Sequence, residues 1–321
     1  MNRTDAVAAP AADSFAAADA LLAQRGQSFH WARRLLSARH GERATRLYGF
    51  CRRIDDLADE ARCPLEARAS LAAARRALQI GHSDKAEWAD MLELMRTCGI
   101  DQTVPLELIR GVESDLGDVR VADMDELLRY CYRVAGTVGL MMTAALDVTA
   151  PEALPHAIDL GIAMQLTNIC RDVRDDALLG RRYLPASLVG ALDPASLVDP
   201  TGAVRATACA ALRVLLDVAD RHYDSGMQGL RWLPPGARAG IRVAAESYRE
   251  IGVVLRESDC DCWSARARVG TPRKLAITLR ALADGVAPQR AGPAHRYAAP
   301  SGRALPRPSA APWSAEARVA D

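Results

Sequence analysis

Four aspartates stand in two i, i+4 pairs: Asp55 and Asp59 in RATRLYGFCRRIDDLADE, and Asp172 and Asp176 in AIDLGIAMQLTNICRDVRDDALLGRRYLP. On a helix that spacing places the two carboxylates of a pair one turn apart on a single ridge. Hard oxygen ligands without His or Cys suit Mg²⁺, with Mn²⁺ as the alternative ion. Mg²⁺ takes few protein ligands and fills its octahedron with waters and substrate phosphates, so two facing ridges could grip a diphosphate through bridging metals. Arg52, Arg171 and Arg181 or Arg182 stand close enough in sequence to add direct phosphate contacts. The chemistry such a set would perform is removal of a diphosphate leaving group.

The polar neighbours sharpen this reading. Tyr48 and Arg52 precede Asp55 and Asp59 on the same ridge, while Gln165 and Asn168 precede Asp172 and Asp176. Gln165 and Asn168 interrupt an apolar stretch, where a polar group without a partner costs a few kcal/mol, so a ligand or metal-bound water is expected to satisfy them. One DxxxD alone is more often a solvated helix face, with pairs such as Arg52 to Asp55 or Asp56. Two ridges with two buried amides favour a site. Competing signatures are missing: the chain has no HExxH, no GxSxG, no Walker loop and no GxGxxG between strand and helix.

The elements that must carry these ridges are helices. Leu47, Phe50, Ile54 and Leu57 recur at steps of three and four beside the first ridge, and Ile158, Ile162, Leu166, Ile169 and Val173 do so beside the second. Signals for strands are almost absent, and aromatic residues make up only 5% of the chain. Pro64, Gly81, Gly99, Pro105, Pro151, Pro155, Gly180, Pro185, Pro194, Pro200, Pro234, Pro235, Gly236 and Gly285 punctuate it into eight to ten helices. Asp123 followed by Glu126 predicts a capped helix running towards Leu146. An all-α, single-domain architecture over residues 21–287 follows, between a disordered N-terminal tail (1–20) and a disordered tail (288–321) holding six of the 17 prolines.

Composition agrees. With 50% hydrophobic residues and a formal net charge of +1, the chain has material for a core and no field to draw it to nucleic acid. Its eight cysteines are scattered without a CxxC pair, which fits reduced thiols, and Cys260 and Cys262 make a poor zinc site. No signal-peptide pattern opens the sequence and no run is apolar enough to span a bilayer, so a cytoplasmic protein is expected.

At YGFCRRIDDLADE, CYRVAGTVGLMM and QLTNICRDVRDDALLGRRYLP the chain resembles the squalene/phytoene synthase family, and within it the bacterial phytoene synthases. The resemblance runs from about Ser28 to about Leu282. It implies an isoprenoid synthase fold with helices around a central cavity. It also implies Mg²⁺-dependent head-to-head condensation of two prenyl diphosphates. The expected course is ionisation of one allylic diphosphate, closure to a cyclopropyl diphosphate and a second ionisation. Proton loss would then give phytoene from two geranylgeranyl diphosphates, the first committed step of carotenoid biosynthesis, with no nicotinamide. A C15-specific dehydrosqualene or squalene synthase is the alternative, and a non-catalytic assembly factor of the same fold a more distant one.

Carried over by position, Asp55, Asp59, Asn168, Asp172 and Asp176 match metal-binding positions of the family. Arg52, Gln165, Arg171 and Tyr183 match positions near the diphosphates. Ser28, Phe29, Tyr48 and Tyr132 match channel-lining positions, and Tyr248, Arg266 and Arg268 fall where the family closes the phosphate end. His30 and Trp31 depart from the aromatic usual there. Phe29, Val134, Ala135, Leu140 and Met164 are expected to wall a dry cavity that shelters a carbocation. The glycines of Gly136–Gly139 serve either a close-lying polyprenyl chain or tight helix packing. Such apolar substrates and products imply peripheral membrane contact, aided by Arg33, Arg34 and Arg39, and hand-off to a downstream desaturase.

Overall fold

The computed structural model describes residues 19–20 and 27–284. The expected tails lie outside them, apart from residues 19 and 20. The described residues are mostly helical: α1 (Gln27–Arg33), α2 (Ala38–Asp59), α3 (Pro64–Ile80), α4 (Ala86–Cys98), α5 (Thr103–Ser114), α6 (Met124–Cys131), α7 (Thr137–Ala145), α8 (Ala153–Arg171), α9 (Val173–Leu178), α10 (Ala186–Val189), α11 (Gly202–Gly229), α12 (Pro235–Glu257) and α13 (Thr271–Asp284). A lone β-bridge joins Arg120 and Arg182.

Punctuation works as the sequence predicts. Pro64 opens α3 at its first turn, and Gly81 and Gly99 close α3 and α4 in the left-handed conformation that glycine adopts without steric cost. The Asp123 carboxylate accepts from Glu126 N (2.9 Å), while the Glu126 carboxylate accepts from Ala122 N (2.7 Å), satisfying two donors at the start of α6. The helix predicted from there does run towards Leu146, with a π-helical turn over Tyr132–Gly136 between α6 and α7. Such an insertion re-aims the side chains around it.

Both apolar stripes face one core. Leu47, Phe50 and Ile54 of α2 are buried together with Ile162, Leu166 and Ile169 of α8, and Leu57 and Ile158 pack at its edge. Helix α8 is central, with α7, α11, α12 and the π turn packed around it. Its contact with α7 and the π turn is backbone-close: a Cβ at Gly139 would lie 2.2 Å from the Ala157 carbonyl oxygen, and one at Gly161 would lie 2.3 Å from that of Ala135. Of the two roles expected for the glycines of Gly136–Gly139, tight packing is the one Gly139 fulfils.

Candidate active site

The first ridge forms on α2 as its spacing requires, with Leu47, Phe50 and Ile54 turned to the core and Tyr48, Arg52, Asp55 and Asp59 beside them. Arg52 pairs with Asp56 (2.5 Å) through Nη2, and its buried Nε has no partner. The intrahelical pair considered in the bland reading therefore exists, and it still leaves one guanidinium donor unspent.

The second ridge departs from the single helix expected. Helix α8 ends at Arg171, Asp172 takes a non-helical backbone conformation (φ −106°, ψ 16°), and α9 restarts at Val173. Bonds from Asp172 N to Asn168 O and from Asp176 N to Asp172 O, both 2.9 Å, span the break, so Asp176 stays close to the line of the ridge. The break coincides with a clamp. Asp172 accepts from Arg171 Nε (2.8 Å) and from both Nε and Nη2 of Arg266 (2.9 and 3.0 Å). Burial alone would raise the Asp172 carboxyl, but the two guanidiniums outweigh it and hold the group below its usual range.

Asp55 and Asp176 show the opposite behaviour. Burial pushes the Asp55 carboxyl up to about 7; Arg52 opposes this, and Asp59 and Asp115 add to it. Burial likewise pushes Asp176 to about 7, with Asp172 and Asp115 adding and Arg181 opposing. The two ridges are tied by Arg181, whose Nη2 lies 3.5 Å from Asp59 Oδ1. Arg182, the other candidate, is excluded from this role: it is buried and donates through Nη1 to the carbonyls of Val121 (3.0 Å) and Leu184.

Between the ridges stands Asp115, an acid the sequence reading missed. Its carboxylate accepts from the hydroxyls of Tyr183 (2.7 Å) and Tyr130 (3.0 Å), whose rings stack at 4.8 Å. Burial raises it to about 6, and both tyrosines and Arg181 pull the other way. It caps the end of α5, where the helix stops before Asp118 three residues on could form a ridge with it, so helical spacing does not mark it. Tyr183, expected near the diphosphates, reaches the cluster through Asp115.

Asn168 Nδ2 donates to Gln165 Oε1 (3.4 Å), which leaves the buried Asn168 Oδ1 without a partner. This bears on whether the residues fit a divalent cation. An orphaned amide oxygen stands on one ridge with Asp176, and Asp115 lies close enough to Asp55, Asp59 and Asp176 for their charges to interact; burial holds Asp55, Asp115 and Asp176 above the ordinary carboxylate range. All are hard oxygen donors, as Mg²⁺ requires. Among the described residues no three His, Cys or carboxylate side chains already form a metal cluster, so an ion here would draw its remaining ligands from water and substrate.

An aromatic wall adjoins the polar end. Phe29 of α1 lies 6.4 Å from Tyr48 and 5.2 Å from Tyr248, centroid to centroid, and Arg171 hydrogen-bonds the Tyr248 hydroxyl. Met164 and Phe29 both pack against the cluster of Ala32, Val243, Ala244 and Ala281, and half-buried Val134 and Ala135 lie on the π turn. Tyr132 is buried in the main core at that turn. The Ser28 side chain lies outside the described residues.

Comparison with known proteins gives one answer. The squalene/phytoene synthase family profile matches residues 22–274. The phytoene synthase of Pseudescherichia vulneris is 34% identical over 293 residues, covering 84% of this chain and 94% of its own. The 15-cis-phytoene synthase of Pantoea ananas is 31% identical, covering 87% and 96%. A crystal structure of a dehydrosqualene synthase with bound ligand superposes with a TM-score of 0.75 at 25% identity, covering 85% of this chain and 96% of that one. By profile, by sequence and by fold, the chain belongs to the squalene/phytoene synthase family.

Proposed function

We propose that the protein is a transferase that joins two geranylgeranyl diphosphates head to head, through a cyclopropyl (prephytoene) diphosphate, to give phytoene, the first committed step of carotenoid biosynthesis. The observation that carries this is the convergence of Asp59, Asp115 and Asp176 around Arg181, with Asp55 beside Asp59 and Asp115, an unpartnered Asn168 oxygen on the same ridge as Asp176 and an unspent Arg52 donor on the opposite one. The relatives named phytoene synthase support C20 substrates.

Asp55, Asp59, Asn168, Asp172 and Asp176 are the residues assigned to Mg²⁺, with Asp115 added from the geometry. Bound there, the cation would neutralise charge as the diphosphate departs. Arg52, Arg171 and Arg181 orient the phosphates, and Asp172 holds Arg171 and Arg266 in place for them. Phe29, Tyr48 and Tyr248 keep water from the allylic cation and offer it their ring faces. Ser28 and Tyr132 are assigned to the substrate channel on the family resemblance alone.

The second reading is a C15-specific dehydrosqualene synthase, favoured by the fold match to one such enzyme. Incubation with Mg²⁺ and either the C15 or the C20 diphosphate, without nicotinamide, decides it. The C20 substrate is expected to yield phytoene, and a C30 hydrocarbon from the C15 substrate alone would establish the alternative. No helix among the described residues is long and apolar enough to cross a membrane. Exchange of such apolar molecules then proceeds by peripheral contact with a bilayer, where a desaturase is the natural next enzyme.

A further inference from the structure

Helix α13 buries only one edge. Thr278 and Ala281 face inward, Ala281 against Ala32, Val243 and Ala244, and Trp31 Nε1 of α1 donates to Thr278 Oγ1 (2.9 Å). On one flank a cavity of about 450 Å³ separates α13 from α11 and α12, rimmed by Arg273 and Arg280. The outward side carries Leu275, Leu279 and Leu282, 49%, 60% and 47% exposed, at the i, i+4, i+7 spacing of a single ridge.

Charge accompanies the leucines. The α13 sequence holds Arg273, Lys274 and Arg280 against Asp284, and α1 has no acidic residue and is followed by Arg34, whose guanidinium lies 5.9 Å from the Trp31 ring centroid. Arg273 is spent on Glu250 and Glu257, and Arg33 and Arg39 on Asp19 and Asp147. Arg280 is engaged as well, so among the described residues Lys274 and Arg34 are left as the basic groups of α13 and the end of α1 outside such ion pairs. The other exposed apolar pair, Leu178 and Leu179, stands between Asp175 and Asp176 on one side and Arg181 and Arg182 on the other, and offers two apolar side chains where α13 offers three. Leu65 and Ile80 sit singly at opposite ends of α3.

The leucine ridge also adjoins the site. Through Trp31 it abuts α1, whose Phe29 touches the aromatic wall formed with Tyr48 and Tyr248. We propose that the α1–α13 face docks on an anionic bilayer: Leu275, Leu279 and Leu282 enter the acyl boundary, Lys274 and Arg34 meet lipid phosphates, and the polyprenyl chain passes along α1. An apolar helix face flanked by cations lies in the headgroup plane in this manner. The proposal rests on the reading that substrate and product are long isoprenoids.

The test is co-sedimentation of the full chain with phosphatidylglycerol-containing vesicles and with pure phosphatidylcholine vesicles, beside turnover of detergent-dispersed C20 diphosphate. The parent is expected to bind anionic vesicles best. Leu275→Ser/Leu279→Ser/Leu282→Ser should bind at least tenfold less with turnover in detergent unchanged, while Leu65→Ser/Ile80→Ser binds like the parent. Because the triple variant could misfold, Arg34→Glu/Lys274→Glu serves as the second probe, expected to lose the preference for anionic vesicles at unchanged helicity. Parental binding in either α1–α13 variant, loss of binding in Leu178→Ser/Leu179→Ser, or no binding by the parent would overturn the proposal. Failure of turnover in detergent with vesicle binding intact would instead reject the C20 reading.

Discussion

The two acidic ridges carry equivalent spacing and unequal electrostatics. On the second, Asp172 is already neutralised by two arginines and its carboxyl is held low. On the first, burial drives the Asp55 carboxyl up to about 7, with Arg52, paired to Asp56, opposing it and Asp59 and Asp115 adding to it. Asp176 behaves like Asp55 although it sits one turn from Asp172. A shared DxxxD pattern thus divides into one position, Asp172, held by two arginines and two, Asp55 and Asp176, that burial keeps from ionising readily. The spacing alone does not distinguish them; the partners do.

The comparison breaks most visibly in activity. Asp55→Asn and Asp176→Asn keep side-chain volume and remove a charge meant for a cation, so kcat should fall by roughly 10²–10³-fold or more. The check is single-turnover kinetics, and near-parental rates in both would end the metal assignment. Ile169→Ala, a core residue beside the second ridge, should instead cost ~2–5 kcal/mol of stability in denaturant melts through the cavity it leaves. Asp172→Asn should lose activity and also stability, by roughly 1–3 kcal/mol, because Arg171 is left in a half-buried position without its counter-charge. Asp55→Asn should not lose stability, and equal melting losses for the two would erase the distinction drawn here.

The smallest effect is in pH. Asp55, Asp115 and Asp176 have folded-state values above the ordinary carboxylate value, so the folded chain binds their protons more tightly than the unfolded chain does. Their contribution to stability is therefore fullest near pH 4 and is lost as pH rises to about 7. The metal-free protein should melt a few degrees lower at pH 8 than at pH 5.5, and added Mg²⁺ should raise the melting temperature more at pH 8. A Mg²⁺ shift that is larger at pH 5.5 would contradict this.

Much of the scaffold was legible because helical period and end signals are local. Leu47, Phe50 and Ile54 on one helix and Ile162, Leu166 and Ile169 on another declare their buried faces by spacing, and Asp123 and Gly81 declare helix ends. What escaped depends on contacts distant in sequence. Asp115 gains meaning only when Tyr183, 68 residues away, meets it. Arg181 and Arg182 are alike in sequence; the bridge between Arg120 and Arg182 turns the second inward and leaves the first for Asp59. The π turn at Tyr132 and the break at Asp172 add or reset backbone register without any apolar signature.

The contact of α7 and the π turn with α8 sets a boundary for anyone wishing to change what this enzyme makes. With carbonyl oxygens standing where side-chain atoms of residues 139 and 161 would begin, that wall has no give in either direction. Libraries that randomise Gly139 or Gly161 will consist mainly of chains that fail to assemble, whatever product is selected. Variation in product length is better sought where Phe29 of a seven-residue helix meets Tyr48 and Tyr248 through ring contacts that can be re-sized one side chain at a time.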